Sequence, residues 1–275
     1  MKLSPKVHIK NYFREYILVG KRIKETLIKI KTMINLNLFK KITLWVFLGC
    51  ILLSCQNEKG SPNTLTEEEQ RNGWQLLFDG STLNNWHTYN NSKNAPTAWI
   101  VKNGTIYCDP NSESQKYDLV SDKEYKNYEF KFEWKLEKEG NSGVFVNVQE
   151  RPDINATYHS GPEYQLLADS HPDFDKPLKR SGCLYTFLPQ QNFVNIKTQD
   201  DWNESSIVQK DGKITFFLNG KITAEMDFNS AKWKDLVKHS NFKDYPEFGK
   251  HINGKLALQD WSRGVSFRNL KIKLL

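Results

Sequence analysis

Glu163 and Gln165 stand two residues apart in the run Glu163-Tyr-Gln-Leu. Residues two apart on a strand share a face, so the carboxylate and the amide look outward together while Tyr164 and Leu166 enter the core. A carboxylate beside an amide can orient ligand hydroxyls, or take a proton where burial raises its pKa. The Gly161-Pro162 pair just ahead fixes how the chain enters that strand. His159 precedes the pair, and imidazole titrates near neutrality and is the commonest general base. A lone loop histidine is as readily structural or exposed, and both roles stay open.

A second group lies near the C-terminus. Gln259 and Trp261 fall on one strand face and Asp260 on the other. Trp261 could serve as an aromatic platform beside Gln259. Arg268 could bind a ligand oxygen, or form a salt bridge with Asp260. Asn141-Ser-Gly143 reads as a turn, with Gly143 allowing close approach of a ligand or a strand. Phe145, Asn147 and Gln149 alternate with Val144, Val146 and Val148, so Asn147 would reach the ligand face. Glu129 and Glu133 alternate with lysines and read as a solvated face.

Strands must position these groups. Phe130, Phe132, Trp134 and Leu136 alternate with Glu129, Lys131, Glu133 and Lys135, the period of a half-buried strand. Asn103-Gly104, Asp211-Gly212 and Asn219-Gly220 favour two-residue hairpin turns. Residues from Val265 alternate again to the C-terminus. The one convincing helix is short and follows Ser230, a plausible N-cap. Many strands and one short helix predict an all-β, antiparallel sandwich.

The N-terminus predicts export. Lys40 and Lys41 precede an apolar run from Ile42 to Leu53, closed by Ser54-Cys55. This run is shorter than the roughly 20 residues that span a bilayer. Residues 1–54 therefore read as a signal peptide, with Met33 a possible true start, and Cys55 as a lipidated first residue. Residues 55–71 read as a polar tether and 72–275 as the domain. The expected place is the bacterial cell envelope, in the periplasm or on the outer-membrane surface. The leader carries 11 basic and 2 acidic residues, leaving 28 basic against 30 acidic in the mature part. That balance removes any basic footprint for nucleic acid. Cys108 and Cys183 could pair in an oxidising envelope or remain two small core residues. No cofactor is called for, a divalent metal stays open, and the oligomeric state is not legible.

Ordered motifs then accumulate: Gly73-Trp-Gln-Leu-Leu-Phe-Asp-Gly, Gly140-Asn-Ser-Gly-Val-Phe-Val, Tyr158-His-Ser-Gly-Pro-Glu-Tyr-Gln-Leu, Gly182-Cys-Leu-Tyr, Leu218-Asn-Gly, Leu258-Gln-Asp and Phe267-Arg-Asn-Leu-Lys-Ile. Over residues 72–275 the chain resembles the 3-keto-disaccharide hydrolase family. The resemblance implies a concanavalin-A-like jelly roll and action on glycosides oxidised at C3 of the sugar. Within the motif set Tyr185 counts as a further substrate contact. Many members read Gln-Asp-His-Gly where this chain has Gln259-Asp-Trp-Ser, a departure that replaces an imidazole with Trp261.

Ordinary glycosidases flank the scissile bond with two carboxylates, and here only Glu163 sits well. A C3 ketone acidifies the proton at C2, so one base, Glu163 or His159, could remove it. Gln165, Gln259 or Arg268 could hold the resulting enolate. Elimination at C1 and hydration would follow. The other reading is a non-catalytic carbohydrate-binding lipoprotein on the same fold.

Overall fold

The computed structural model describes residues 20–33, 60–91, 96–197, 201–261 and 264–275. The end of the expected signal peptide and Cys55, the expected lipidation site, lie outside them. Residues 20–33 form helix α1, exposed along its length. No helix among the described residues is long and apolar enough to cross a membrane.

The region from Gly60 onward begins with a short helix, α2 (Glu67–Arg71), and its described residues continue through thirteen strands. These are β1 (Trp74–Leu76), β2 (Trp86–Thr88), β3 (Trp99–Lys102), β4 (Thr105–Cys108), β5 (Leu119–Tyr125), β6 (Tyr128–Leu136) and β7 (Asn141–Val148). After them come β8 (Glu163–Leu167), β9 (Asn203–Lys210), β10 (Lys213–Leu218), β11 (Lys221–Asp227), helix α3 (Ala231–Lys238), β12 (Gly254–Leu258) and β13 (Val265–Leu274). The three predicted hairpin dipeptides join β3 to β4, β9 to β10 and β10 to β11. Both residues of each have positive φ, as in Asn103 at 51° and Gly104 at 71°. Such angles match the twist of the flanking strands. Ser230 caps α3 by accepting from the Trp233 N–H.

The strands form two antiparallel sheets, the concanavalin-A-like jelly-roll sandwich expected. One has the order β11-β10-β9-β6-β13-β4-β3, with β1 also paired to β13. The other runs β2-β5-β12-β7-β8. Between them Phe130, Phe132, Trp134 and Phe267 meet Val144, Val146, Tyr164, Leu166 and Leu258. The buried Tyr164 hydroxyl bonds Ser205 Oγ at 2.8 Å, so the core polar group has a partner. Cys108 and Cys183 are buried free thiols, not a disulfide.

Three local expectations change. Residues 60–71 do not stand off as a tether: Asn63 is buried, bonds Gly104 O and exchanges hydrogen bonds with Asn269. Lys271 Nζ adds an ion pair to Glu69 at 2.8 Å. Asn141–Gly143 is not a turn but the start of β7, because it pairs with Leu167–Gln165 of β8. Asn147 does not reach the outer face. A bulge opposite Leu256 interrupts the alternation of β7, and Asn147 takes φ 58°. Its amide then turns inward and pairs reciprocally with Gln209 of the other sheet at 2.8 and 3.0 Å.

Candidate active site

The outer face of the five-stranded sheet carries the site. Its register sets Val120 against Ala257, Ala257 against Phe145, and Phe145 against Glu163. Val120, Phe145 and Ala257 pack there as a small cluster with Tyr89 and Val148, separate from the main core. One step further along, Gln259 N–H donates to Gly143 O at 2.9 Å, and Gly143 faces Gln165. Asp118 precedes Leu119, whose partner is Leu258. Asp118, just before β5, Gln259, just after β12, and Gly143 of β7 are therefore side by side.

Glu163 reaches back into this row. A Cβ at position 143 would sit 1.9 Å from its Oε1, so only glycine leaves room for the carboxyl group. Glu163 is 7% exposed, and its buried Oε1 has no hydrogen-bond partner among the described residues. Burial, with the negative charge of Asp118 added, pushes its pKa well above the usual carboxylate range.

Asp118 was not singled out in the sequence. Its Oδ2 accepts from the Thr157 hydroxyl, and its Oδ1 accepts the Asp260 N–H at 2.8 Å. Burial raises its pKa to about 6, against the lowering effect of those two bonds. The charge of Asp260 adds to the rise. The alternation Asp118, Val120 on one face of β5 was the only signal that could have found it, and a single acidic residue at a strand start is too common to select.

A cleft of about 530 Å³ opens over this end of the sheet. Asp118, Thr157, Tyr158, Gln259, Asp260 and Trp261 are among its lining residues. The expected opposition of Asp260 to its neighbours fails, because β12 ends at Leu258 and the next three residues leave the strand. Trp261 is 55% exposed, open to a ligand ring. Neither Glu163 nor Gln165 is among the lining residues.

The remaining candidates separate. His159 ends a 3₁₀ turn, Thr157–His159, and its ring stacks on Tyr245 at 4.0 Å. Partial burial lowers its pKa. Tyr158, edge-on to it at 4.6 Å, is the member of the pair that lines the cleft. Tyr185 N–H donates to Glu163 O at 3.0 Å, and the negative charge of Glu163, after burial, raises the phenol's pKa. Gln165 shares its face with Glu163, but its amide nitrogen lies 2.8–3.0 Å from Asn141 Oδ1, Ser142 O and Leu166 O. Its donors therefore tie β7 to β8.

Arg268 is excluded. It lies on β13 of the other sheet, with Nε 2.6 Å from Glu133 Oε2 and its guanidinium 4.1 Å over Trp202. Glu133 is thus an ion-pair partner and not a solvated carboxylate. The Asp260 pairing expected for Arg268 does not form, since Asp260 is held at the site beside Asp118. Among the described residues no group of three or more His, Cys, Asp or Glu is arranged to hold a metal ion.

Comparisons with known proteins agree with this architecture. Residues 73–273 match the family described as the 3-keto-alpha-glucoside-1,2-lyase-like domain. A 3-keto-disaccharide hydrolase of Bacteroides thetaiotaomicron is 30% identical over 230 residues, 74% of this chain and 79% of the relative. The crystal structure of a candidate glycosyl hydrolase from Parabacteroides distasonis is 32% identical, with a TM-score of 0.71 over 78% of this chain and all of that one. A second structure from that organism, 23% identical with a TM-score of 0.56, shares the fold over 74% of this chain and all of its own.

Proposed function

The chain belongs to the 3-keto-alpha-glucoside-1,2-lyase-like family, and we propose that it cleaves glycosides carrying a ketone at C3. The observation that carries this reading is the carboxyl group of Glu163, buried over Gly143 near Asp118, with an oxygen that has no partner among the described residues. A buried polar atom without a partner costs free energy. Its retention is understandable where a substrate supplies the missing contact.

The chemistry follows from the ketone. Deprotonation at C2 gives an enolate, which expels the oxygen at C1 and leaves an enone. Water then adds at C1. Glu163, and not the stacked His159, is the group that exchanges a proton with the substrate. Gln259 is the amide free to meet the enolate oxygen, since Gln165 is engaged with β7 and Arg268 lies on the other sheet. Trp261 and Tyr158 offer rings to the sugars. The motif ending at Cys55 supports a lipid-anchored enzyme of the bacterial envelope.

The test is turnover of 3-keto-disaccharides beside their unoxidised parents by the full chain and by Glu163→Gln. The oxidised substrates should be cleaved selectively, and the variant should lose about 10²–10⁴ in rate with folding intact. Saturable binding without turnover would favour a carbohydrate-binding module instead.

A further inference from the structure

We infer that Asp118 is the second catalytic carboxyl group, taking the C2 proton while Glu163 protonates the departing oxygen at C1. This rests on the reading above and divides its proton transfers between two named groups.

Position comes first. Asp118 lines the cleft and meets the sugar ring directly, whereas Glu163 lies behind the lining residues and exchanges its proton with the C1 oxygen through one bridging water. The backbones of Asp118 and Gly143 are two strand spacings apart, about 10 Å. The Glu163 carboxyl group lies over Gly143, with Gln259 on the strand between. One group can then address C2 and the other the neighbouring C1 oxygen.

Environment separates the roles. Both oxygens of Asp118 accept hydrogen bonds, from Thr157 and from the Asp260 N–H. Those bonds hold the carboxylate in one orientation and favour its ionised form. Glu163 Oε1 accepts none and lies on a row with Phe145, Ala257 and Val120. Apolar surroundings favour the neutral acid. Two carboxyl groups whose environments push them apart identify base and acid. Both groups are shifted upward by burial, Asp118 to about 6 and Glu163 well above the usual carboxylate range. The titratable groups facing Asp118 are Asp260 and Cys108, Glu163 on β8, Tyr158 on the 3₁₀ turn, and Tyr89 after β2.

The steps balance. Asp118 accepts the C2 proton, and the C–H electron pair becomes the enolate. The enolate reforms the ketone as the C1–O bond breaks with its electron pair. Glu163 delivers its proton to the leaving alkoxide, completing the alcohol. On hydration, Glu163 takes a proton from water as oxygen bonds C1, and Asp118, whose carboxyl proton has meanwhile exchanged with solvent, gives a solvent-derived proton to C2. Both groups end as they began.

The experiment compares wild type, Asp118→Asn and Glu163→Gln on two substrates: a 3-keto-disaccharide, and a 3-keto-glucoside with a nitrophenolate leaving group that needs no acid. Asp118→Asn should lose about 10²–10⁴ on both. Glu163→Gln should lose that much on the disaccharide and less than tenfold on the nitrophenyl substrate. Equal losses by Glu163→Gln on both, or an active Asp118→Asn, would overturn the assignment. Wild-type indifference to the C3 ketone would overturn the underlying reading itself. Should Asp118→Asn fail to fold, Thr157→Val decides. Removing its hydroxyl should move the acid limb of kcat/KM to higher pH, and an unmoved limb would count against Asp118.

Discussion

The carboxyl group of Glu163 lies directly over Gly143, in the space a side chain at that position would fill. The glycine is not there for a turn, since it is paired within β7. It leaves a hollow in the sheet that accepts an acidic group from the next strand.

Gly143→Ala should therefore displace Glu163 without breaking the sheet. Overpacking of this kind costs about 1–3 kcal/mol. We expect that loss in thermal or denaturant unfolding, together with at least a tenfold fall in kcat. Full activity in a folded Gly143→Ala protein would show that the position of Glu163 is unimportant.

Asp118 and Glu163 also make stability depend on pH in an unusual direction. Burial raises both folded-state pKa values, that of Asp118 to about 6, so from the ordinary carboxylate range up through the raised values the folded protein binds more protons than the unfolded chain. Stability from these two groups is present at low pH and lost as pH rises through that window. Asp118→Asn should then be more stable than wild type at pH 8 and gain less at pH 5. Melting curves at the two pH values check this, and a gain larger at pH 5 would reverse the sign.

Much of this architecture was legible in the sequence. Alternation in residues 129–136 and three Asn-Gly or Asp-Gly pairs gave strands and hairpins, because local φ preference and the pleat act over a few residues. The site was only half legible. Glu163 and Gln259 follow from local alternation, whereas Asp118 joins them through the pairing of β5 with β12, a contact between residues about 140 positions apart. Asn147 misled because a bulge breaks the period on which alternation depends. Arg268 misled because Glu133, its partner, lies on a strand distant in sequence and adjacent only in the sheet.

Arg268→Ala tests that correction. Its ion pair with Glu133 is partly exposed, so its removal should cost about 1 kcal/mol or less. Turnover of 3-keto-glycosides should stay within twofold of wild type. A hundredfold loss of activity would place Arg268 in the site after all.

Asn63 fastens the segment before α2 to the sandwich. Asn63→Ala would leave Gly104 O and the Asn269 N–H without their side-chain partner. An unpaired buried group costs about 1–3 kcal/mol, and unfolding free energy should fall by that order. An unchanged midpoint would show that residues 60–71 contribute nothing to the fold.

The central claim is proton removal at C2, and isotope incorporation tests it most directly. A 3-keto-disaccharide is cleaved in deuterium oxide and the released keto-sugar analysed at once by mass and by NMR. Deuterium should stand at C2 of the sugar that carried the ketone, above the exchange of that sugar incubated without enzyme. A product whose C2 retains its original hydrogen would contradict elimination and hydration, and would leave direct displacement at C1 as the chemistry.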